Sequence, residues 1–226
     1  VKAALALDPD FVLARCLMGY LGMLLGTVAT RPMVAACLAA IEPVADAVTP
    51  RERRHVRALR AWFDGDLDRA VGEWDAILFA WPHDLLALRL QHFAHFWAGR
   101  SHGLRAATSA ALPAWSESVP GYGHLLAMHA FALEETGDLV RAERVGRQAA
   151  GLVPDDLWAV HAVAHVLEVS GRYEEGTAWL EPPPDGWADR NPFRGHLWWH
   201  AALFPLEAGD HERVLELYDR AIRPGD

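Results

Sequence analysis

Two histidines four residues apart, with a carboxylate three residues further on, make the densest group of reactive side chains in the sequence: His161, His165 and Glu168. On an α-helix that turns 100° per residue, offsets of four and seven return to nearly the same angle, so the three project within one narrow sector. His196 and His200 repeat the four-residue spacing with Trp198 and Trp199 between them, and His124, His129, Glu134 and Glu135 lie upstream. Imidazoles and carboxylates grouped in this way support three kinds of chemistry. They can ligate a metal ion, exchange protons as a His–Glu pair, or recognise a ligand through hydrogen bonds and aromatic contact.

The first two lack their usual context. Ala162, Val163 and Ala164 separate His161 from His165, so the zinc-protease phrase HExxH is absent, and a bare HxxxH assigns no metal. No cofactor is expected. There is no serine in a strained turn, no cysteine in an electropositive setting and no glycine-rich phosphate loop, so no reaction class follows from the residues. Recognition remains. The candidate binding groove comprises His124, His129, Glu134, Trp158, His161, His165, Glu168, His196, Trp199 and His200. Its tryptophans and histidines would anchor a peptide, a protein segment or a small ligand, while Glu134 and Glu168 fix histidine tautomers or meet a cationic group. The alternative is an enzyme, or a small-molecule- or metal-binding protein, using the same patch.

Other aromatic and histidine residues read as packing. Trp62, Trp74, Trp97 and Trp179 fall at helical spacing among apolar residues and are expected in the core. His92 and His95 lie toward the packed side of their helix, where hydrogen-bonded burial is expected. Trp187 sits in EPPPDGWADRNPFRG (181–195), too rich in Pro and Gly to be helical. That segment reads as an inter-repeat spacer or a wall folding over the groove.

The elements that must hold these residues are announced by glycines. Gly65, Gly99, Gly137, Gly171 and Gly209 are separated by 34, 38, 34 and 38 residues, and four begin related phrases: GDLDRA, GDLVRA, GRYEEG and GDHERV. Such a period is the mark of stacked helical hairpins. Ala58 and Ala70, Ala130 and Ala142, then Ala164 and Gly176, let the two helices of a hairpin approach closely. Pro82 and Pro154 stop the second helix. Each glycine supplies the left-handed conformation that ends the first helix, and Asp66, Asp138 and Asp210 stand where the second helix needs an N-cap. His92 replaces the small residue seven before Gly99, so that hairpin must open or bury an imidazole. The longer intervals place about four extra residues in loops around 115–123 and 181–195.

This pattern resembles the tetratricopeptide repeat over nearly the whole chain. Within it, HAFALEE (129–135), WAVHAVAHVLE (158–168) and HLWWH (196–200) are similar to the tetratricopeptide repeat protein 38 family. The resemblance implies an all-α, right-handed superhelix of about six hairpins, one continuous solenoid domain over 1–226, with first helices lining the concave face and no established reaction. Lys2–Pro9 then reads as the end of a second helix, and both ends of the chain as cut from a longer array.

Composition narrows the classes. A net charge of −9 argues against a nucleic-acid partner. Twelve histidines would carry the formal charge from −9 to +3 if all were protonated, so surface charge should respond to mild acid. Cys16 and Cys37 occupy apolar stretches and read as buried thiols. The longest apolar run, 16–29, is too short to span a membrane and is closed by Arg31-Pro32. With no membrane segment and no signal peptide visible, a cytoplasmic location is the default; oligomeric state stays unassigned.

Overall fold

The computed structural model describes residues 1–181, 187 and 193–223. It is built from helices, with no strand among the described residues. The chain divides into two compact units, Val1–Gly99 and Arg100–Asp226. The first contains α1 (Lys2–Leu7), α2 (Val12–Leu24), α3 (Arg31–Ile41), α4 (Pro50–Phe63), α5 (Leu67–Ala80) and α6 (Leu85–Trp97). The second contains α7 (Ser101–Ala111), α8 (Tyr122–Glu134), α9 (Leu139–Leu152), α10 (Leu157–Val169), α11 (Tyr173–Trp179), α12 (Arg194–Glu207) and α13 (His211–Leu217). Among the described residues no helix is long and apolar enough to cross a membrane.

The five rhythm glycines all take positive φ, between +66° and +88°, where an L side chain would be strained. At four of them the N–H of the next residue reaches the carbonyl five back: Asp66 to Ala61, Asp138 to Leu133, Arg172 to Leu167 and Asp210 to Pro205, at 2.8–2.9 Å. These bonds close the first helix and aim the second. Asp66 and Asp210 then cap their helices by accepting from the Arg69 and Arg213 N–H groups. Asp138 does not cap α9 through its side chain. Its carboxylate is drawn instead to the guanidinium groups of Arg105 and Arg141, at 3.1 and 3.3 Å, which offer a stronger charged partner.

In the first unit α2, α3, α4 and α5 close around Trp74, Tyr20, Leu38, Ile41 and Leu59, all without solvent exposure. Thr49 and Glu52 form a capping box at the start of α4, helped by Pro50. A polar thread crosses the core: Trp74 Nε1 donates to Tyr20 Oη (3.4 Å), Tyr20 Oη donates to the His55 carbonyl (2.8 Å), and His55 Nε2 meets Asp84 Oδ2 (3.1 Å). Asp84 also caps α6 through the Ala87 N–H. Burial alone would raise the Asp84 pKa; bonds from His55 and Ala87 and the charges of His55 and Arg51 outweigh it and hold the carboxyl below its usual range.

The aromatic expectations divide. Trp74 is fully buried, and Trp62 and Trp179 are partly buried against the cores. Trp97 is 52 % exposed, lying against Trp62 and stacked on Phe93 at the end of α6, where the helix runs out of partners within its unit. His92 is buried, so the hairpin encloses the imidazole. Cys16 and Cys37 are buried free thiols, and burial pushes the Cys16 pKa up to about 12.

In the second unit α8 is buried without a break from Leu125 to Leu133, because α7, α9 and α10 all pack on it. Close approach is built into the next hairpin. A Cβ on Gly176 would stand 2.1 Å from Phe204 Cε1, and that ring is itself fully buried. Gly176→Ala is therefore expected to lower stability by about 1–3 kcal/mol, measured by denaturant unfolding. Part of the loss should return in the double variant with Phe204→Leu; a neutral single variant would show that α11 and α12 can part freely.

Candidate functional site

Three first helices adjoin in the second unit, with α10 packed against both α8 and α12. The four- and seven-residue spacing does what helical geometry requires, and the rings of His161 and His165 lie 4.2 Å apart. From α12, His196 Nε2 comes within 3.0 Å of His161 Nε2 and within 3.0 Å of His200 Nε2. His165 joins the group, its ring 4.8 Å from that of His200. One nitrogen from each of the four imidazoles falls within 4.8 Å of every other. His161 and His200 are buried, His165 is half-buried and His196 is exposed.

Carboxylates stand behind two of the rings. His200 Nδ1 is 3.1 Å from Glu168 Oε2, and His165 Nδ1 is 3.4 Å from Glu134 Oε2. A proton on Nδ1 lets each imidazole face its carboxylate and turns the Nε2 lone pair to the opposite edge. The two glutamates hold one register, three residues before Gly137 and three before Gly171. Each therefore reaches the next first helix in line. Burial, then the neighbouring His165 and His196, pushes the His200 pKa down to about 3; burial and His165 lower that of His196. Burial raises the carboxyls of Glu135 and Glu168, and both feel the charge of Glu134.

Aromatic rings fix the histidines sideways. Trp158 lies 5.2 Å from His161, and Trp199 stacks on His196 at 5.9 Å. Two rings outside the expected set complete the surround. Phe131 lies stacked at 5.7 Å from His161, and Phe193 meets it edge-on at 5.0 Å. The signal for Phe131 is register, since it stands six before Gly137 as His165 stands six before Gly171. Phe193 belongs to the Pro-rich segment, most of which (182–186 and 188–192) lies outside the described residues, as does the expectation that it walls the groove.

Two expected residues stand apart from the four-histidine group. His129 is buried against α7, its Nδ1 3.0 Å from Thr108 Oγ1. Burial, then Arg141 and Arg105, outweighs Asp138 and pushes its pKa down to about 4. His124 sits at the other end of α8 from Glu134, and ten residues of helix separate them by about 15 Å. Its Nδ1 meets Asp156 Oδ2 at 2.6 Å, and Asp156 caps α10. Trp158 is 8 % exposed and contributes little surface, whereas Trp199 is 49 % exposed.

No family model matches the chain. Among solved structures it is similar to a tetratricopeptide repeat protein from Parabacteroides merdae ATCC 43184, with 16 % identity, a TM-score of 0.61, all of this chain covered and 84 % of that one. It is also similar to MamA, with 12 % identity, a TM-score of 0.56, and 76 % and 90 % of the two chains covered. YrrB, described as a TPR protein with an unusual peptide-binding site, matches at 20 % identity and a TM-score of 0.50, over 82 % and 91 % of the two chains. The fold is that of an all-α array of tetratricopeptide-type hairpins, and at these identities the likeness is one of fold.

Proposed function

We propose that the chain is a tetratricopeptide-type scaffold whose second unit docks a partner segment carrying a basic side chain, on the rim formed by α8, α10 and α12. The protein-binding use of this repeat, and the peptide-binding site described for YrrB, support the class. The narrower resemblance of residues 129–200 to the tetratricopeptide repeat protein 38 family belongs to the same proposal. One observation carries the choice of face and partner. Exposed Trp199 and His196 both lie against His200, which meets Glu168; Glu168 in turn feels the charges of Glu134 and Glu207, and no Lys or Arg among the described residues pairs with these carboxylates. An aromatic face next to unneutralised carboxylates suits the stem and head of a Lys or Arg side chain.

The buried histidines frame this surface, and the accessible anchors are Trp199 and His196. Arrayed short peptides should separate by charge, Lys- and Arg-bearing sequences being retained and their Glu-substituted counterparts not. Trp199→Ala should weaken the retained peptides about tenfold or more, as loss of an interface tryptophan does, with unfolding unchanged. Glu207→Gln should weaken them less. Equal retention of basic and acidic peptides, or indifference to Trp199→Ala, would defeat the reading.

A further inference from the structure

We infer that His161, His165, His196 and His200 form a binding site for a divalent transition-metal ion of the zinc type, joining α10 to α12. This goes beyond the docking reading and does not depend on it. Spacing in the sequence assigns no such site, because each HxxxH alone is common; what argues for it is the meeting of two of them. A tetrahedral ion with Zn–N bonds of about 2.0–2.1 Å holds its nitrogens about 3.3 Å apart. Two of the contacts are 3.0 Å, and the whole set lies within 4.8 Å. To reach that spacing the widest separation in the set has to close by no more than about 1.5 Å.

Proton counting gives an independent reason. His196 Nε2 faces both His161 Nε2 and His200 Nε2 at hydrogen-bond distance. A single proton on His196 Nε2 serves only one of those contacts. His200 has its Nδ1 against Glu168, so its proton sits there and its Nε2 presents a lone pair. His165 Nε2 is buried with no hydrogen-bond partner, at a price that native interiors seldom accept. A cation at the centre resolves these conflicts together, because it accepts every lone pair and needs no proton. The carboxylates on the far side complete the pattern. Metal-ligating histidines regularly donate their other N–H to a carboxylate, which sets the tautomer and raises the ring's basicity; Glu168 occupies that place behind His200, and Glu134 stands behind His165 at the ion-pair distance of 3.4 Å without a hydrogen bond.

Ligand type selects the ion. An all-imidazole set suits zinc, copper(II), nickel or cobalt and disfavours magnesium and calcium, which want oxygen. Leu197, Trp198 and Trp199 separate the second pair of histidines, and Ala162, Val163 and Ala164 the first. Neither interval carries the glutamate of a zinc protease, so the site is assigned as one that binds and braces.

The test is metal stoichiometry and affinity on the full chain. After dialysis against a chelator, zinc sulfate added in slight excess and then removed by gel filtration should leave one equivalent per chain, by inductively coupled plasma mass spectrometry. Zinc should raise the melting temperature, magnesium should not, and cobalt should give the intense visible bands of a four-coordinate ion. His161 and His200 are buried, and their alanine variants could fail to fold. The deciding variant is therefore His196→Ala, at an exposed position, with unchanged circular dichroism and zinc affinity at least 100-fold weaker. Glu168→Gln should weaken zinc about tenfold or more by loosening His200. Retention of less than a tenth of an equivalent by the wild type would overturn the site. So would a His196→Ala variant that binds as tightly as the wild type, since the ion would then be held elsewhere.

Discussion

Acidification from pH 6.5 to 4 lowers the stability of the folded chain, and His129→Leu removes part of that loss. The cause is a buried imidazole that stays neutral. His129 is 3 % exposed, and burial with Arg141 and Arg105 pushes its pKa from 6.5 down to about 4. In the unfolded chain the same ring takes a proton near pH 6.5. Between the two values the unfolded state binds more protons, so stability falls as the pH falls. The contribution is fully present above the unfolded value and gone below the folded one, and 2.5 pH units correspond to about 3 kcal/mol. His92, held well below 6.5 by burial, Arg89 and His95, acts in the same direction in the first unit, as do His200, pushed down to about 3 by burial, His165 and His196, and His196, lowered by burial and His165, in the second. The raised carboxyls of Glu135 and Glu168 act the other way, gaining protons in the folded state first. At pH 7.5 His129→Leu should cost about 1 kcal/mol for the hydrogen bond to Thr108. Below pH 5 the variant should equal or exceed the wild type in urea unfolding. Parallel stability curves for the two proteins across pH 4–8 would refute the assignment.

Trp74→Ala carries the second large effect and acts in the first unit. The ring is fully buried, meets Tyr20 at 6.0 Å and Trp62 edge-on at 5.6 Å, and its Nε1 bonds the Tyr20 hydroxyl. Truncation leaves a void the size of an indole among residues held by the Tyr20–His55–Asp84 thread, which cannot collapse into it without breaking that thread. The expected cost is about 3–5 kcal/mol. Trp74→Phe, which keeps a ring and loses one hydrogen bond, should cost about half as much. Guanidinium unfolding followed by circular dichroism reads both. A loss below about 1 kcal/mol on Trp74→Ala would mean that the core reorganises around the gap.

How far the sequence reaches depends on the kind of residue. Backbone punctuation is local, so Gly65, Gly137, Gly171 and Gly209 can be read directly, and the helices begin and end around them. Asp138 shows the limit, since its local role as a cap loses to Arg105, a residue one hairpin away in sequence. Helical arithmetic likewise places His161, His165 and Glu168 on one face, and the resemblance to a hairpin repeat puts α12 beside α10. What periodicity does not contain is depth. His129 and His161 look equivalent as histidines on first helices, yet one faces Thr108 on α7 and the other faces His196 on α12. The expectation for Trp97 goes wrong for a related reason. Helical spacing tells which side of α6 it occupies, not whether another helix arrives to cover the last turn.

Glu134 reaches His165 and Glu168 reaches His200, each across one step of the array and always toward the C-terminal neighbour. Pairing of this kind has a direction, like links of a chain all hooked the same way. A block that carries a complete pair with it must therefore span parts of two successive hairpins of 34 or 38 residues. Loss of a single residue within α10 rotates every later position by 100° and separates His161 from its carboxylate-backed neighbours.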